Sequence, residues 1–166
     1  PGYPNPKHPT YANYSEELLV GYRYFDSANK SVLFPFGHGL SYTEFDYSNL
    51  FLSSALLSRE DSLEVNLEVQ NTGQVFGAET VQVYLSALDS QIYRPLSELK
   101  GFVKVHLVSG ERQRVKVSID VSSLAVFDTY AKQWVVESGY YLVRVGSSSR
   151  DIRLERTVQV QSDDLI

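Results

Sequence analysis

Three histidines, His8, His38 and His106, are the side chains of this chain best suited to proton transfer near neutral pH. His38 is flanked by Gly37 and Gly39 after an aromatic run, and we interpret the triplet as a structural motif that orders a loop rather than as a catalytic site. No partners for a Ser-His-Asp arrangement can be assigned, and three dispersed histidines lack the spacing of a metal site. The histidines therefore predict no catalytic residue, no metal site and no cofactor.

Paired carboxylates are the other constellation that could do chemistry, because acid–base cleavage of a glycoside needs two of them facing each other across the scissile bond. Most carboxylates here alternate with apolar residues in strand-like segments or lie in turns, as solvated charges do. Glu16, Glu17 and Asp26 lie outside the strand-rich region, but nothing in their sequence context marks them as reactive. We therefore assign neither a catalytic nor a substrate-binding residue to this chain.

The composition excludes several classes of function. The chain has 166 residues and no Cys, which rules out a disulfide scaffold, a thiolate metal site and a cysteine nucleophile. Its net charge of −5 and its scattered basic residues argue against nucleic acid as a partner. No apolar run approaches the roughly 20 residues that a membrane span needs, so no membrane partner is predicted. Because the chain begins at Pro1 and has no Met, we expect a processed product or a part of a longer polypeptide.

Two Asn-X-Ser sequons, at Asn13 and Asn29, are candidate glycosylation sites. Such triplets often occur by chance, so they give weak support for a secreted protein. We expect an extracellular location, with an intracellular location as the alternative.

The hydrophobic pattern divides the chain into four parts: residues 1–44 without clean periodicity, a linker over 45–60, a β-rich domain over 61–161 and a tail over 162–166. Apolar and polar residues alternate in segments 63–69, 81–85, 99–107 and 115–119, as in half-buried strands. Residues 122–127 fit one serine-capped helical turn, residues 134–145 a hairpin around Ser138 and Gly139, and residues 152–160 the last strand. Together they predict an antiparallel β-sandwich with Trp134 packed between its sheets.

Two motifs in the first part carry a family resemblance. Residues 20–26 read Val-Gly-Tyr-Arg-Tyr-Phe-Asp, and residues 34–43 read Phe-Pro-Phe-Gly-His-Gly-Leu-Ser-Tyr-Thr. They closely resemble the end of the second catalytic-region domain of glycoside hydrolase family 3, in the form found in its β-glucosidase branch. Residues 70–73, 77–86, 94–102 and 145–152 resemble the fibronectin type III-like domain of the same family, most closely in its fungal β-glucosidases.

The resemblance implies a mainly β fold: a fibronectin type III-like, immunoglobulin-like antiparallel β-sandwich preceded by the terminal segment of an α/β sandwich domain. It implies an enzyme that removes terminal non-reducing β-D-glucosyl residues with retention. The family's Asp nucleophile and Glu acid/base precede the matched region, so this chain alone is expected to be inactive. Its expected partner is the upstream catalytic fragment of the same polypeptide, which binds the oligosaccharide or glucoside substrate, and a homo-oligomer stays open.

The same resemblance explains the aromatic residues of the first part. They are expected to be buried against the upstream fragment, and they are Tyr22, Tyr24, Phe25, Phe34 and Phe36. Two alternatives remain: a non-catalytic module that binds carbohydrate or a cell surface through aromatic side chains such as Tyr84, Tyr93 and Tyr130, or a family member with β-xylosidase-type specificity.

Overall fold

The computed structural model describes residues 16–163, which include one short helix and a set of β-strands. The elements in chain order are α1 (Tyr22–Ser27), β1 (Phe45–Leu52), β2 (Leu56–Ser58), β3 (Ser62–Asn71), β4 (Gly77–Ala87), β5 (Glu98–Leu107), β6 (Arg112–Asp120), a 3₁₀ turn (Val121–Leu124), β7 (Val126–Asp128), β8 (Gln133–Val135), β9 (Gly139–Gly146) and β10 (Ile152–Gln161). His8 and Asn13 lie outside the described residues, as does most of the predicted tail.

Two sheets form the sandwich. A three-stranded sheet has the order β1-β3-β6, and a five-stranded sheet has the order β2-β10-β9-β4-β5. All neighbouring strands in these two sheets are antiparallel except β2, which pairs in parallel with β10. The prediction of a mainly β sandwich is confirmed.

The core lies between the inner faces of the two sheets. In β3 the side chains of Leu63, Val65, Leu67 and Val69 are buried, while the residues between them are only partly so. Valines and leucines of β4, β9 and β10 face them from the opposite sheet, and valines of β6 lie beside them in the same sheet. Each fully buried side chain of this size contributes about 1.5–3 kcal/mol relative to an exposed one, so the alternating pattern is what closes the sandwich.

Residues 45–60, expected to form a linker, instead supply β1 and β2 of the sandwich. β1 pairs with β3, but its register shifts between Ser48 and Phe51, where Asn49 has a φ of 56°. The irregularity gives the strand the burial pattern of a three-residue rather than a two-residue repeat. Alternation along the sequence therefore could not identify the strand.

The hairpin predicted around Ser138 and Gly139 is wrong. β8 pairs with β7, and β9 pairs with β10 and β4. Trp134 is 63% exposed and does not pack between the sheets, because Val135 and Val136 take the core positions beside it. The predicted helical turn is present as the 3₁₀ turn, but it follows Asp120 and has no side-chain cap.

Candidate functional site

The strand β4 buries side chains on both of its faces. Val81, Val83 and Leu85 point into the core, whereas Gln82 and Tyr84 point away from it and are still only 4% and 1% exposed. The cover over this outer face comes from residues 16–44, which we call the docking segment. The outer face of β4 and β5, together with residues 147–151, is called the docking face.

The side chain of Gln82 is the polar centre of this interface. Its Nε2 donates to the carbonyl oxygens of Gly37 at 3.1 Å and Ser147 at 2.6 Å, and its Oε1 accepts from the Tyr84 hydroxyl at 2.6 Å. Burial raises the pKa of Tyr84, so its phenol stays a hydrogen-bond donor. The buried amide is thus fully paired, as burial of a polar group requires.

Gly37 meets the two conditions that favour glycine, and Gly39 meets neither. Gly37 has a φ of +78°, and a Cβ there would lie 2.0 Å from Oε1 of Gln82. A Cβ on Gly39 would meet no atom within 4 Å. His38 between them is exposed; its ring stacks on Phe34 at a centroid distance of 5.2 Å, and its backbone N–H donates to the Pro35 carbonyl at 3.1 Å.

Aromatic packing holds the docking segment at the middle of the docking face. The Tyr22 ring stacks on Phe36 at 4.4 Å and meets the edge of Tyr84 at 6.2 Å. The Tyr22 hydroxyl accepts the backbone N–H of Leu99 at 2.8 Å. Tyr22 and Phe36, expected to pack against an upstream fragment, therefore contact the sandwich.

Arg150 fixes the end of α1 and the turn after it. Its guanidinium donates to the Asp26 carboxylate at 2.6 Å, to the Phe25 carbonyl at 3.1 Å and to the Lys30 carbonyl at 2.7 Å. The neighbouring backbone N–H of Ser149 donates to the Phe36 carbonyl at 2.9 Å. Asp26 is thus an ion-pair partner at the interface and not a free carboxylate.

A charge cluster extends the interface to the loop between β4 and β5. Glu98 pairs with Arg23 of α1 at 3.0 Å, with Arg94 at 3.4 Å and with Lys100 at 3.6 Å. Arg94 also reaches the buried Glu137 at 3.4 Å. Burial lowers the pKa of Lys100, although Glu98 opposes this effect. Because these charges are paired with one another, the cluster connects α1, the loop between β4 and β5, and β5 itself.

Glu137 also holds the start of this loop. Its carboxylate accepts the Ser90 hydroxyl and the backbone N–H groups of Gln91 at 2.7 Å and Ile92 at 3.3 Å. One carboxylate from the end of β8 therefore sets the conformation of the loop that carries Arg94.

The far end of the docking segment is anchored by Asn71, which is fully buried. The Thr43 hydroxyl donates to its Oδ1 at 2.6 Å, and its Nδ2 donates to the carbonyls of Val75 at 2.8 Å and Leu107 at 3.0 Å. A Cβ on Gly73 would lie 2.2 Å from the Thr43 hydroxyl oxygen, so a larger residue at position 73 would displace the threonine.

A second polar cluster lies beside this anchor. The Tyr47 hydroxyl donates to Glu79 at 2.8 Å, and the Arg153 guanidinium lies 4.6 Å from the centre of the Tyr47 ring. Arg153 also donates to the Phe45 carbonyl at 2.6 Å and pairs with Asp151 at 3.0 Å. These contacts tie β1 to β10 across the edge of the sandwich.

The opposite side of the docking segment exposes large apolar side chains. The exposed fractions are 90% for Leu33, 62% for Phe34, 91% for Leu40 and 101% for Tyr42. Tyr24 and Phe25 are each 41% exposed. The segment therefore has one side packed on the sandwich and one unpacked apolar side.

Hydrogen bonds, ion pairs and aromatic packing connect the docking segment to the docking face. Within residues 16–163, no group of three or more His, Asp or Glu side chains is arranged to hold a metal ion. In the same residues, no helix is long and apolar enough to cross a bilayer. Asn29 is exposed in the turn after α1, with a φ of 47°. Glu17 is exposed, and Glu16 lies at the start of the described part.

The main contacts between the docking segment and the docking face could not be predicted from the sequence. Gln82 and Tyr84 alternate with core residues, so the pattern placed them on an uncovered face. The pair of Arg150 with Asp26 and the pair of Arg94 with Glu137 could not be recognised because their members lie 124 and 43 positions apart in the chain. The dense aromatic residues of the docking segment were the one signal that a covered surface existed.

Comparisons with known proteins agree with this architecture. A family model described as a fibronectin type III-like domain matches residues 79–149. The chain is 45% identical, over 90% of its length, to the thermostable beta-glucosidase B of Acetivibrio thermocellus, and covers 20% of that protein. It is 43% identical to the beta-glucosidase of Kluyveromyces marxianus, with 90% of this chain and 18% of the relative covered.

Solved structures give the same picture. The structure of beta-glucosidase 3B from Thermotoga neapolitana in complex with α-D-glucose matches with a TM-score of 0.85 and 42% identity, over 96% of this chain and 21% of that one. The chain spans about one fifth of the length of the relatives it matches. It therefore belongs to glycoside hydrolase family 3 and corresponds to the portion of these proteins that carries the fibronectin type III-like domain.

Proposed function

We propose that this chain is part of a retaining β-glucosidase that hydrolyses terminal non-reducing β-D-glucosyl residues, and that it serves as scaffold for the catalytic domains. The observation that carries the proposal is the two-sided docking segment. One side is tied to the sandwich through Gln82, Arg150 and Glu98, and the other side exposes Leu33, Leu40 and Tyr42. Such an apolar patch favours contact with a further protein surface.

The proposed partner is the upstream catalytic fragment of the same polypeptide. Burial of apolar surface contributes about 25 cal/mol per Å², so side chains as exposed as Leu33 and Leu40 would add appreciably to the contact. In this proposal, residues 16–44 complete an α/β domain on one side while the sandwich holds them in place on the other. The substrate glucoside and the two catalytic carboxylates, about 5–5.5 Å apart in a retaining enzyme, belong to the upstream fragment.

The sugar specificity is inferred from the names of the matching proteins. The matching proteins include an enzyme named exo-alpha-(1->6)-L-arabinopyranosidase from Bifidobacterium breve, which is 41% identical over 92% of this chain. Similarity in this portion is therefore compatible with a different sugar. The β-glucosidase names among the other relatives favour glucose, and β-xylosidase-type specificity is the alternative.

A binding module is the second candidate function, and one observation weighs against it. Tyr84, considered as a surface aromatic residue, is buried in the docking face. Tyr93 and Tyr130 are exposed. The exposed rings of Phe127 and Trp134 stand at 70° to each other, so this pair does not form a flat platform for a sugar chain. The scaffold role is favoured because the docking segment accounts for the buried polar contacts.

The assay that tests the proposal compares residues 1–166 with the complete polypeptide on p-nitrophenyl β-D-glucopyranoside and on the matching xyloside and arabinosides. We expect the complete polypeptide to prefer the glucoside and residues 1–166 to release no nitrophenol. Strong glucosidase activity of residues 1–166 alone would overturn the scaffold assignment. Preference of the complete polypeptide for the xyloside would overturn the sugar assignment.

A pull-down of residues 1–166 on insoluble β-glucans separates the scaffold from the binding module. The intact chain is used because removal of the docking segment would uncover Gln82 and Tyr84. We expect no retention beyond that of a non-binding control protein. Retention that soluble glucan competes away would support the binding module instead.

We also propose that the complete protein is secreted and that Asn29 carries a glycan. Its exposed turn and its sequon support this proposal. Protein secreted from a eukaryotic host should lose mass on treatment with an N-glycosidase, and Asn29→Gln should remove part of that loss. An unchanged mass in a secreted sample would contradict the proposal, and Asn13→Gln measures the contribution of the other sequon.

A further inference from the structure

The hairpin formed by β7 and β8, here called the aromatic hairpin, presents two large rings on its outer side. Val126 and Val135 pair across it and are 5% and 0% exposed. Phe127 and Trp134 pair next to them and point outward, 42% and 63% exposed, with ring centroids 5.6 Å apart. The inner side of the hairpin belongs to the core, and the outer side is unpartnered in residues 16–163.

The turn of the aromatic hairpin is fixed by Asp128, which is buried. Its Oδ1 accepts the backbone N–H groups of Tyr130 at 2.7 Å and Ala131 at 3.2 Å. Such an Asx turn limits the conformations of the loop. The two rings are therefore presented by a defined hairpin, which lowers the entropy lost when they enter a contact.

The aromatic hairpin is also continuous with the interface already described. The 3₁₀ turn that leads into it is held by Arg94, which donates to the Leu124 carbonyl at 3.0 Å, and by Lys100, which donates to the Ser123 carbonyl at 2.8 Å. Both cations pair with Glu98, which also binds Arg23 of the docking segment. One charge cluster thus holds the hairpin and the docking segment in a fixed relation.

We propose that the aromatic hairpin is a second contact of this domain with the upstream part of the same polypeptide, with Trp134 as its anchor. The inference rests on the proposed function, because it needs the catalytic domains as partner. This chain spans about one fifth of its relatives, so most of such a polypeptide is available to cover the hairpin. Tryptophan is enriched among the residues that dominate interface energies.

The chemistry of the contact follows from the two rings. They stand at 70°, so they fit a recess that encloses an edge-to-face pair better than the flat face of a sugar ring. The partner surface should be apolar, with a hydrogen-bond acceptor for the indole N–H of Trp134. A glucan and a second copy of the chain are the competing occupants, and the experiment below separates them.

The test places the photo-crosslinking residue p-benzoyl-phenylalanine at position 134 of the complete polypeptide. Position 51 is the matched control, because Phe51 is also 63% exposed but lies on β1 in the three-stranded sheet, away from the aromatic hairpin. We expect crosslinks from position 134 to peptides that precede Pro1 in the same molecule, and none of these from position 51. Crosslinks from position 134 that join only two copies of the polypeptide would overturn the proposal.

A second measurement covers the case in which crosslinking is inefficient. We expect Trp134→Ala to lower the urea midpoint of the complete polypeptide clearly more than that of residues 1–166, whereas Phe51→Ala has equal effects in both. Equal effects of Trp134→Ala would overturn the proposal. Trp134 is the only tryptophan of the chain, so a glucan-dependent change in the fluorescence of residues 1–166 would also overturn it in favour of a sugar site. None of these readouts requires glucosidase activity, so failure of the activity assay is distinguishable from failure of this inference.

Discussion

The side-chain amide of Gln82 donates a hydrogen bond to the backbone carbonyl of Gly37 at 3.1 Å, joining two residues that lie 45 positions apart in the sequence. The same amide nitrogen donates to Ser147 at 2.6 Å. One buried side chain of the sandwich therefore binds both the docking segment and a loop of its own domain. This contact attaches the docking segment, residues 16–44, to the sandwich.

Gly37→Ala is expected to lower the free energy of unfolding of residues 1–166 by about 1–3 kcal/mol, because φ at this position is +78° and the new Cβ would collide with Gln82. Urea denaturation followed by circular dichroism measures the change. Gly39→Ala is the matched control, since its Cβ would enter open space, and it should change stability by less than about 0.5 kcal/mol.

A double-mutant cycle separates the two causes at this site. Removing the amide with Gln82→Ala also removes the collision, so Gly37→Ala should cost less in that background, and the remaining cost reports the backbone strain. Equal costs of Gly37→Ala with and without Gln82 would contradict the predicted close contact.

Arg150→Ala is expected to release the turn after α1, because the guanidinium binds Asp26 and the carbonyls of Phe25 and Lys30. Hydrogen bonds to charged groups contribute roughly 1.5–3 kcal/mol each before solvent screening, and the partial exposure of this pair places the expected loss near the lower bound. Hydrogen exchange of residues 22–36 should accelerate. Arg144→Ala, which breaks only a surface pair with Glu155, should leave that exchange unchanged.

Glu137→Ala is expected to be among the most destabilising single changes, at about 3–5 kcal/mol, because it leaves the buried Arg94 without one partner and frees two backbone N–H groups. Thermal unfolding measures the loss, and hydrogen exchange should locate it in the loop over residues 88–97. Glu155→Ala is the exposed control, and its effect should stay within about 1 kcal/mol. Comparable effects of the two changes would contradict the structural role of Glu137.

The stability of the sandwich should depend on pH through Glu79 with a defined sign. Burial raises the pKa of Glu79 above its unfolded value, so its stabilising contribution is complete at low pH and is lost as the pH rises through the folded-state pKa. Glu79→Gln removes this dependence and can still accept the Tyr47 hydroxyl. The variant should therefore gain stability relative to the original chain between about pH 4 and pH 7.

Asp151 should show the opposite sign within the same cluster. Hydrogen bonds from Arg153 and Ser147 lower the pKa of Asp151, so its contribution is present above the unfolded pKa and is lost as the pH falls through the folded-state pKa. Asp151→Asn should cost stability at about pH 7, and the cost should fade below about pH 3. Urea midpoints across this range test both signs, and parallel pH profiles of the two variants would contradict them.

Most strands of the sandwich could be predicted from the sequence, but the contacts of the sandwich with the docking segment could not. Alternation in β3, β5 and β6 identified strands whose one face is buried, and motif resemblance supplied the family. β1 was not predicted because the bulge at Asn49 breaks the alternation of apolar and polar residues. Trp134 was wrongly predicted to be buried, because the adjacent valines fill the core instead. Gln82 could not be recognised from periodicity, since its burial depends on a segment 45 residues away that shows no periodicity of its own.

The attachment of the docking segment to the sandwich is tested most directly by urea denaturation of residues 1–166 beside residues 45–166. The second chain retains every strand but lacks the docking segment, so Gln82 and Tyr84 become exposed and Arg150 and Glu98 lose partners. We expect a clearly lower urea midpoint for residues 45–166 than for residues 1–166. Equal midpoints would contradict the claim that the docking segment and the sandwich form one structural unit.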